Sequence, residues 1–138
     1  MIPIRRLEYA VQLDTEWTAR SDRGGGVLSA EDRAWTPEHL LLASLCRCTL
    51  ASLRYHAARS GIGVVSHGRA EGTVTRRTAD GRYAFVDVTV ELGVALDPVP
   101  DATGVRELLA KAERDCFVGA SLAPPPTYRW SVNGQELE

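Results

Sequence analysis

Three cysteines are the side chains best suited to chemistry here: Cys46 and Cys48, two apart, and Cys116 far downstream. A thiol attacks only as the thiolate, which needs nearby positive charge to form at neutral pH. Arg47 lies between the first two, and Cys116 stands at the end of another helical segment. Cysteines on separate elements can meet in space as an attacking and a resolving pair. The competing reading is packing, because a cysteine in a buried helix usually serves as a small apolar side chain.

Other constellations are weaker. His39, His56 and His67 together with the cysteines have the types for zinc. Residues two apart on a helix point about 200° apart, so Cys46 and Cys48 cannot share one ion. No second pair stands at a zinc spacing, and no metal is expected. Gly24-Gly25-Gly26 has no Lys-Ser/Thr after it and reads as a turn, not a phosphate loop. Gly61-Ile62-Gly63 ends a helix. There is no Gly-x-Ser-x-Gly nucleophile elbow. Glu31-Asp32 falls in a polar loop and reads as a solvated pair.

The elements that must position these residues belong to a chain of 138 residues, 44% hydrophobic and 25% charged. That is one ordinary globular domain over residues 1–138, large enough to bury roughly two thirds of its surface without disulfides. The formal charge of −2, with basic residues scattered, argues against nucleic acid as a partner. No apolar run reaches the ~18 residues of a membrane span. The start, Met1-Ile2-Pro3-Ile4-Arg5-Arg6, carries no secretory pattern. With an odd number of cysteines, these features give a cytoplasmic expectation.

Alternation over residues 5–13, a second stretch at 15–20 and Val27-Leu28 predict a small antiparallel meander. Thr36-Pro37-Glu38 starts a helix with a Thr cap, Pro at its first position and an acid in its first turn. It runs without Pro or Gly to Ser60, with Gly61 as its C-terminal cap and a length of about 36 Å. From Leu40 to Leu53 its only charge is Arg47, so the helix should be buried all round. A chain this short cannot cover both faces, which predicts a homodimer with two such helices packed together. Residues 63–77 and 82–96 read as a hairpin about Ala79-Asp80-Gly81. Residues 102–114 read as a helix capped by Asp101 or Thr103, then a short stretch to Leu122, a last strand Thr127–Val132 and a turn at Asn133-Gly134. The order β-β-β-α-β-β-α-β, with strands in antiparallel runs, is α+β.

Two segments carry a resemblance. Trp35-Thr36-Pro37-Glu38-His39-Leu40-Leu41-Leu42-Ala43-Ser44-Leu45-Cys46-Arg47-Cys48 resembles the central-helix motif Pro-Glu-x-Leu-Leu-x-Ala-x-x-x-x-Cys of the OsmC/Ohr family, the osmotically inducible and organic hydroperoxide resistance proteins. Asp115-Cys116-Phe117-Val118-Gly119-Ala120-Ser121-Leu122 resembles its second motif, Cys-Pro-Val-Ser-x-x-Leu, with Phe117 in place of the usual Pro. The resemblance implies an OsmC-like fold, antiparallel sheets around a long buried helix in an intertwined homodimer. It implies a peroxidase that reduces organic hydroperoxides without metal or organic cofactor, recharged by an external dithiol. Residue by residue, Cys48 is then the peroxidatic cysteine and Cys116 the resolving one. Glu38 matches the glutamate that pairs with an arginine of the N-terminal hairpin, for which Arg20 is preferred over Arg23. Glu38 and Cys48 stand about 15 Å apart along a helix, so the pair must act through the long Arg side chain or from the partner subunit. Phe117, Leu45 and Trp35 are candidate walls of the substrate site on position alone, with plain core packing the equal alternative for each, and Cys46 is an extra packed thiol. The alternatives are a non-peroxidatic member that binds a small apolar ligand at the dimer interface, and disulfide exchange.

Overall fold

The computed structural model describes residues 4, 6–13, 15, 18–24, 27–29 and 35–137, which fall in two compact units, Met1–His39 and Leu40–Glu138. Glu31-Asp32 and Gly25-Gly26 lie outside the described residues. The first unit holds the expected meander: β1 (Val11–Leu13), β2 (Thr18–Ser21) and β3 (Val27–Ser29), all antiparallel. Its first strand is shorter than the alternation predicts. Pairing begins at Val11, one residue after the Asp22 amide bonds the Ala10 carbonyl at 3.0 Å.

Helix α1 (Pro37–Arg59) starts where the cap signals put it. The Thr36 hydroxyl accepts the His39 amide at 3.3 Å, and the His39 ring returns the contact at 2.7 Å. At the other end Gly61, with φ 70°, lets the Ile62 amide reach the Ala57 carbonyl and its own amide reach that of Ala58. This left-handed turn is the one glycine tolerates best.

The second unit is built on a four-stranded sheet, β4 (Gly63–Arg76), β5 (Tyr83–Asp97), β6 (Thr127–Val132) and β7 (Gln135–Glu136), in that order. β4 and β5 pair antiparallel from Gly63↔Asp97 to Arg76↔Tyr83, with one irregularity at Thr73/Val74. The hairpin loop is tied by the Arg77–Asp80 ion pair, with Nε to Oδ1 at 3.1 Å.

Two expectations are corrected. β6 runs parallel to β5, so this sheet is mixed, not antiparallel. The intervening α2 (Ala102–Arg114) and α3 (Phe117–Ala120) form a crossover long enough to return the chain to the same end of the sheet. Asn133-Gly134, both at positive φ, is also more than a terminal turn: it closes a hairpin onto β7.

Within its own chain α1 is buried on one face, as expected of a long helix covered by one small sheet: Leu45, Thr49, Ser52, Leu53 and Ala57. Ala43, Ser44, Arg47, Ala51, Arg54 and Tyr55 are exposed. The spacing of the buried set, i, i+4, i+7, i+8, i+12, is that of one helical stripe. It packs in a core with Val88, Val90, Leu92, Val94 and Leu96, the inward side chains of β5, and with Val105, Leu108, Leu109 and Ala112 of α2. Asp101 is the α2 cap, accepting the Gly104 amide at 2.7 Å. The structure is α+β.

Leu53 is fully buried in this core. Leu53→Ala should therefore lower the urea unfolding free energy by about 3 kcal/mol, against less than ~0.5 kcal/mol for Lys111→Ala on the exposed side of α2.

Candidate active site

α1 and the turn after α2 bring two free thiols together. Asp115 caps the end of α2, and Cys116, fully buried, caps the start of α3. Asp115 also receives His56 of α1, Nε2 to Oδ2 at 2.7 Å, and the Arg114 guanidinium at 3.0 and 2.9 Å. Asp115 thus pins the residue beside Cys116 to the C-terminal half of α1. Two turns before His56, Thr49 donates to Cys116 Sγ at 3.3 Å and to the Leu45 carbonyl at 3.0 Å. A hydroxyl has one proton, so these two acceptors share it. The Gly119 amide gives Cys116 Sγ a second donor at 3.4 Å.

Cys48, half-buried, packs against the core that holds Cys116, near the Val118 and Phe117 amides. Burial pushes its pKa up, and so does Cys116; the two amides oppose them without reversing the shift. Tyr128 of β6 stands against the same cluster. Burial first, then Cys116 and Glu113, push its hydroxyl up to about 12, against the opposing influence of Thr49. Gly119 makes this packing possible: a methyl there would stand 2.6 Å from the Tyr128 hydroxyl and 3.4 Å from Cys116 Sγ.

Cys46 faces elsewhere. A methyl at Gly68 of β4 would stand 3.6 Å from its sulfur and 2.8 Å from Leu92, so Cys46 lies over the sheet. Burial pushes its thiol up too. Among the described residues no three His, Cys, Asp or Glu side chains gather as a metal-ligand set.

The remaining expected residues lie as follows. Glu38 is in the first turn of α1 and exposed. Arg20 is exposed on β2, in register with Gln12 and Val27. Arg23 sits over the Tyr9 ring, 4.8 Å from its centre. Of the three candidate walls, Leu45 is a core residue with no exposed surface, which is the packing alternative. Trp35 and Phe117 are 48% and 61% exposed.

Sequence reasoning missed Thr49, Gly119 and Tyr128. Thr49 carried a weak signal, as a hydroxyl in an apolar helical run beside Cys48. Tyr128 carried none, because only the parallel placement of β6 brings it to Cys116. A separate groove of about 560 Å³ on the outer face of the sheet, lined by His67, Arg69, Glu91, Arg129 and Ser131, includes no cysteine.

An α+β chain that pairs a half-buried thiol on a long helix with a buried thiol on a short capped turn defines a narrow class. The family model described as OsmC-like protein matches residues 30–131. The chain belongs to the OsmC-like family. A search of curated proteins gives no match.

Among solved structures, an OsmC-like protein of unknown function from Vibrio cholerae superposes with a TM-score of 0.73 at 16% identity, covering 91% of this chain and 99% of that one. The organic hydroperoxide resistance protein OhrB of Bacillus subtilis gives 0.57 at 18% identity, covering 91% and 96%. An organic hydroperoxide resistance protein OsmC from Legionella pneumophila gives 0.60 at 17%, covering 95% and 98%. At these identities the likeness is one of fold. No described helix is long and apolar enough to cross a membrane.

Asp115 is held down at about 2, by Arg114 first and then by His56. Its contribution is therefore complete above about pH 4, its unfolded value, and is lost as the pH falls toward 2. Because Asp115 is partly exposed, Asp115→Asn should cost only ~0.5–1 kcal/mol at pH 6. Urea unfolding at pH 6 and pH 2.5 should show the gap between wild type and variant closing at the lower pH.

Proposed function

We propose that the protein is a thiol-dependent peroxidase that reduces organic hydroperoxides, with Cys48 as the attacking and Cys116 as the resolving thiol. One observation carries this reading: two free thiols from separate elements lie near enough for Cys116 to raise the Cys48 pKa. The Cys48 thiolate attacks the O–O bond, the alcohol leaves, and the sulfur becomes a sulfenic acid. Cys116 condenses with it, water leaves, and a disulfide remains. An external dithiol reopens it, with no bound cofactor.

Burial and Cys116 raise the Cys48 pKa, so the thiolate needs a further positive group. The resemblance assigns this task to Arg20, held by Glu38. The exposed face of α1, with Ala43, Ala51 and Tyr55, supports a homodimer in which two such helices meet. The raised Cys48 pKa also favours a second reading, a non-peroxidatic member that binds a small apolar ligand at that interface.

One assay separates the two. Reduced protein given one equivalent of cumene hydroperoxide should lose two thiols per chain within seconds, and Cys48→Ser should abolish the loss. Cys116→Ser should leave a sulfenic acid on Cys48 that dimedone traps. Thiols that persist for hours in the wild type would end the peroxidase reading. Arg20→Met should slow the peroxide step by about tenfold or more at pH 7 and move its pH–rate profile upward, because burial raises the Cys48 pKa and a nearby guanidinium would lower it. An unshifted profile would remove Arg20 from the mechanism.

A further inference from the structure

We propose that Thr49 is a catalytic residue of the reductive half-reaction, its hydroxyl receiving with the Gly119 amide the charge that develops on Cys116 as the Cys48–Cys116 disulfide is reopened. This directs the incoming dithiol to Cys48. The inference rests on the reading that these two thiols cycle through a disulfide.

Reopening a disulfide is a displacement at one sulfur with the other as leaving group. Its rate depends on which sulfur can be reached and on how well the departing thiolate is stabilised. The two sulfurs differ in both respects. Cys48 is half-buried, whereas Cys116 has no exposed surface. Cys116 Sγ has two donors aimed at it, Thr49 Oγ1 at 3.3 Å and Gly119 N at 3.4 Å.

Thr49 itself has no exposed surface, so its hydroxyl turns to protein acceptors only. It divides its proton between Cys116 Sγ and the Leu45 carbonyl, 3.0 Å away. As charge grows on sulfur, the proton shifts toward it, since hydrogen bonds to ionised acceptors are the stronger ones. Tyr128 stays protonated beside the same sulfur and so adds no competing negative charge.

The step balances. A thiolate of the external dithiol bonds to Cys48 Sγ. The Cys48–Cys116 bond breaks, and its electron pair goes to Cys116 Sγ. The second thiolate of the dithiol then attacks the mixed disulfide, closes a cyclic disulfide and releases Cys48. The protein gains the two electrons that the dithiol loses.

The test uses the full chain oxidised by diamide, which forms the disulfide without any peroxide. Limiting glutathione, an acid quench and peptide mass spectrometry then locate the mixed disulfide, expected on Cys48. Reduction by dithiothreitol should be about tenfold slower in Thr49→Val, the loss expected for one hydrogen bond to a charged acceptor. Thr49→Ser, which keeps the hydroxyl, should restore most of the rate. The ratio of the reduction rate to the rate of Cys48 sulfenic acid formation should fall with it.

A glutathione adduct on Cys116, equal slowing in Thr49→Val and Thr49→Ser, or no Cys48–Cys116 disulfide after diamide would each overturn the assignment. A chain that closes and reopens as described but ignores hydroperoxide would retain Thr49 in this role and lose the peroxidase reading instead.

Discussion

Thr49 reaches across a buried seam to Cys116, and two turns further along α1 His56 reaches Asp115, the residue beside it. These two contacts run along one stripe of α1 and hold the turn after α2 against it. The whole site depends on that seam. Cys48 projects from the neighbouring helical position, and Cys116 lies near enough to raise its pKa. Gly119 lets the seam close, since any side chain there would strike the Tyr128 hydroxyl.

The same burial that brings the sulfurs together works against their ionisation. Removing a thiol from water raises its pKa, and the two backbone amides near Cys48 offset this only in part. The two thiols differ in setting: Cys116 is enclosed and supplied with donors, while Cys48 keeps partial access. Cys46, two residues away, is turned onto the sheet over Gly68 and shares neither environment. Helical geometry alone enforces that difference, because positions two apart face nearly opposite directions.

Much of this architecture was legible in the residues. The Thr36-Pro37 cap and Gly61 bracket α1 because each satisfies a local backbone requirement that needs no distant partner. The alternation in β4 and β5 announces their hairpin for the same reason. The direction of β6 was not legible, because a strand's own residues do not say which neighbour it joins or which way it runs. The one-sided burial of α1 within its own chain was legible too, because a small sheet covers one face of a helix and a short chain has little left for the other. The pairing of Cys48 with Cys116 came from motif resemblance, while Thr49 gave only the weak signal of a hydroxyl in an apolar run and Tyr128 gave none.

The amino-acid sequence by itself determined the helix boundaries, the hairpins, the α+β class and which cysteines stand on which elements. These follow from short-range backbone sterics, capping and periodicity. Only the tertiary structure decided that the Cys116 sulfur has two donors, that Cys46 faces the sheet and that Tyr128 enters the cluster. Those facts depend on how far apart in the chain the packed surfaces lie. Local propensity carries no information about contacts whose partners are tens of residues away and are brought together by burial of a shared core.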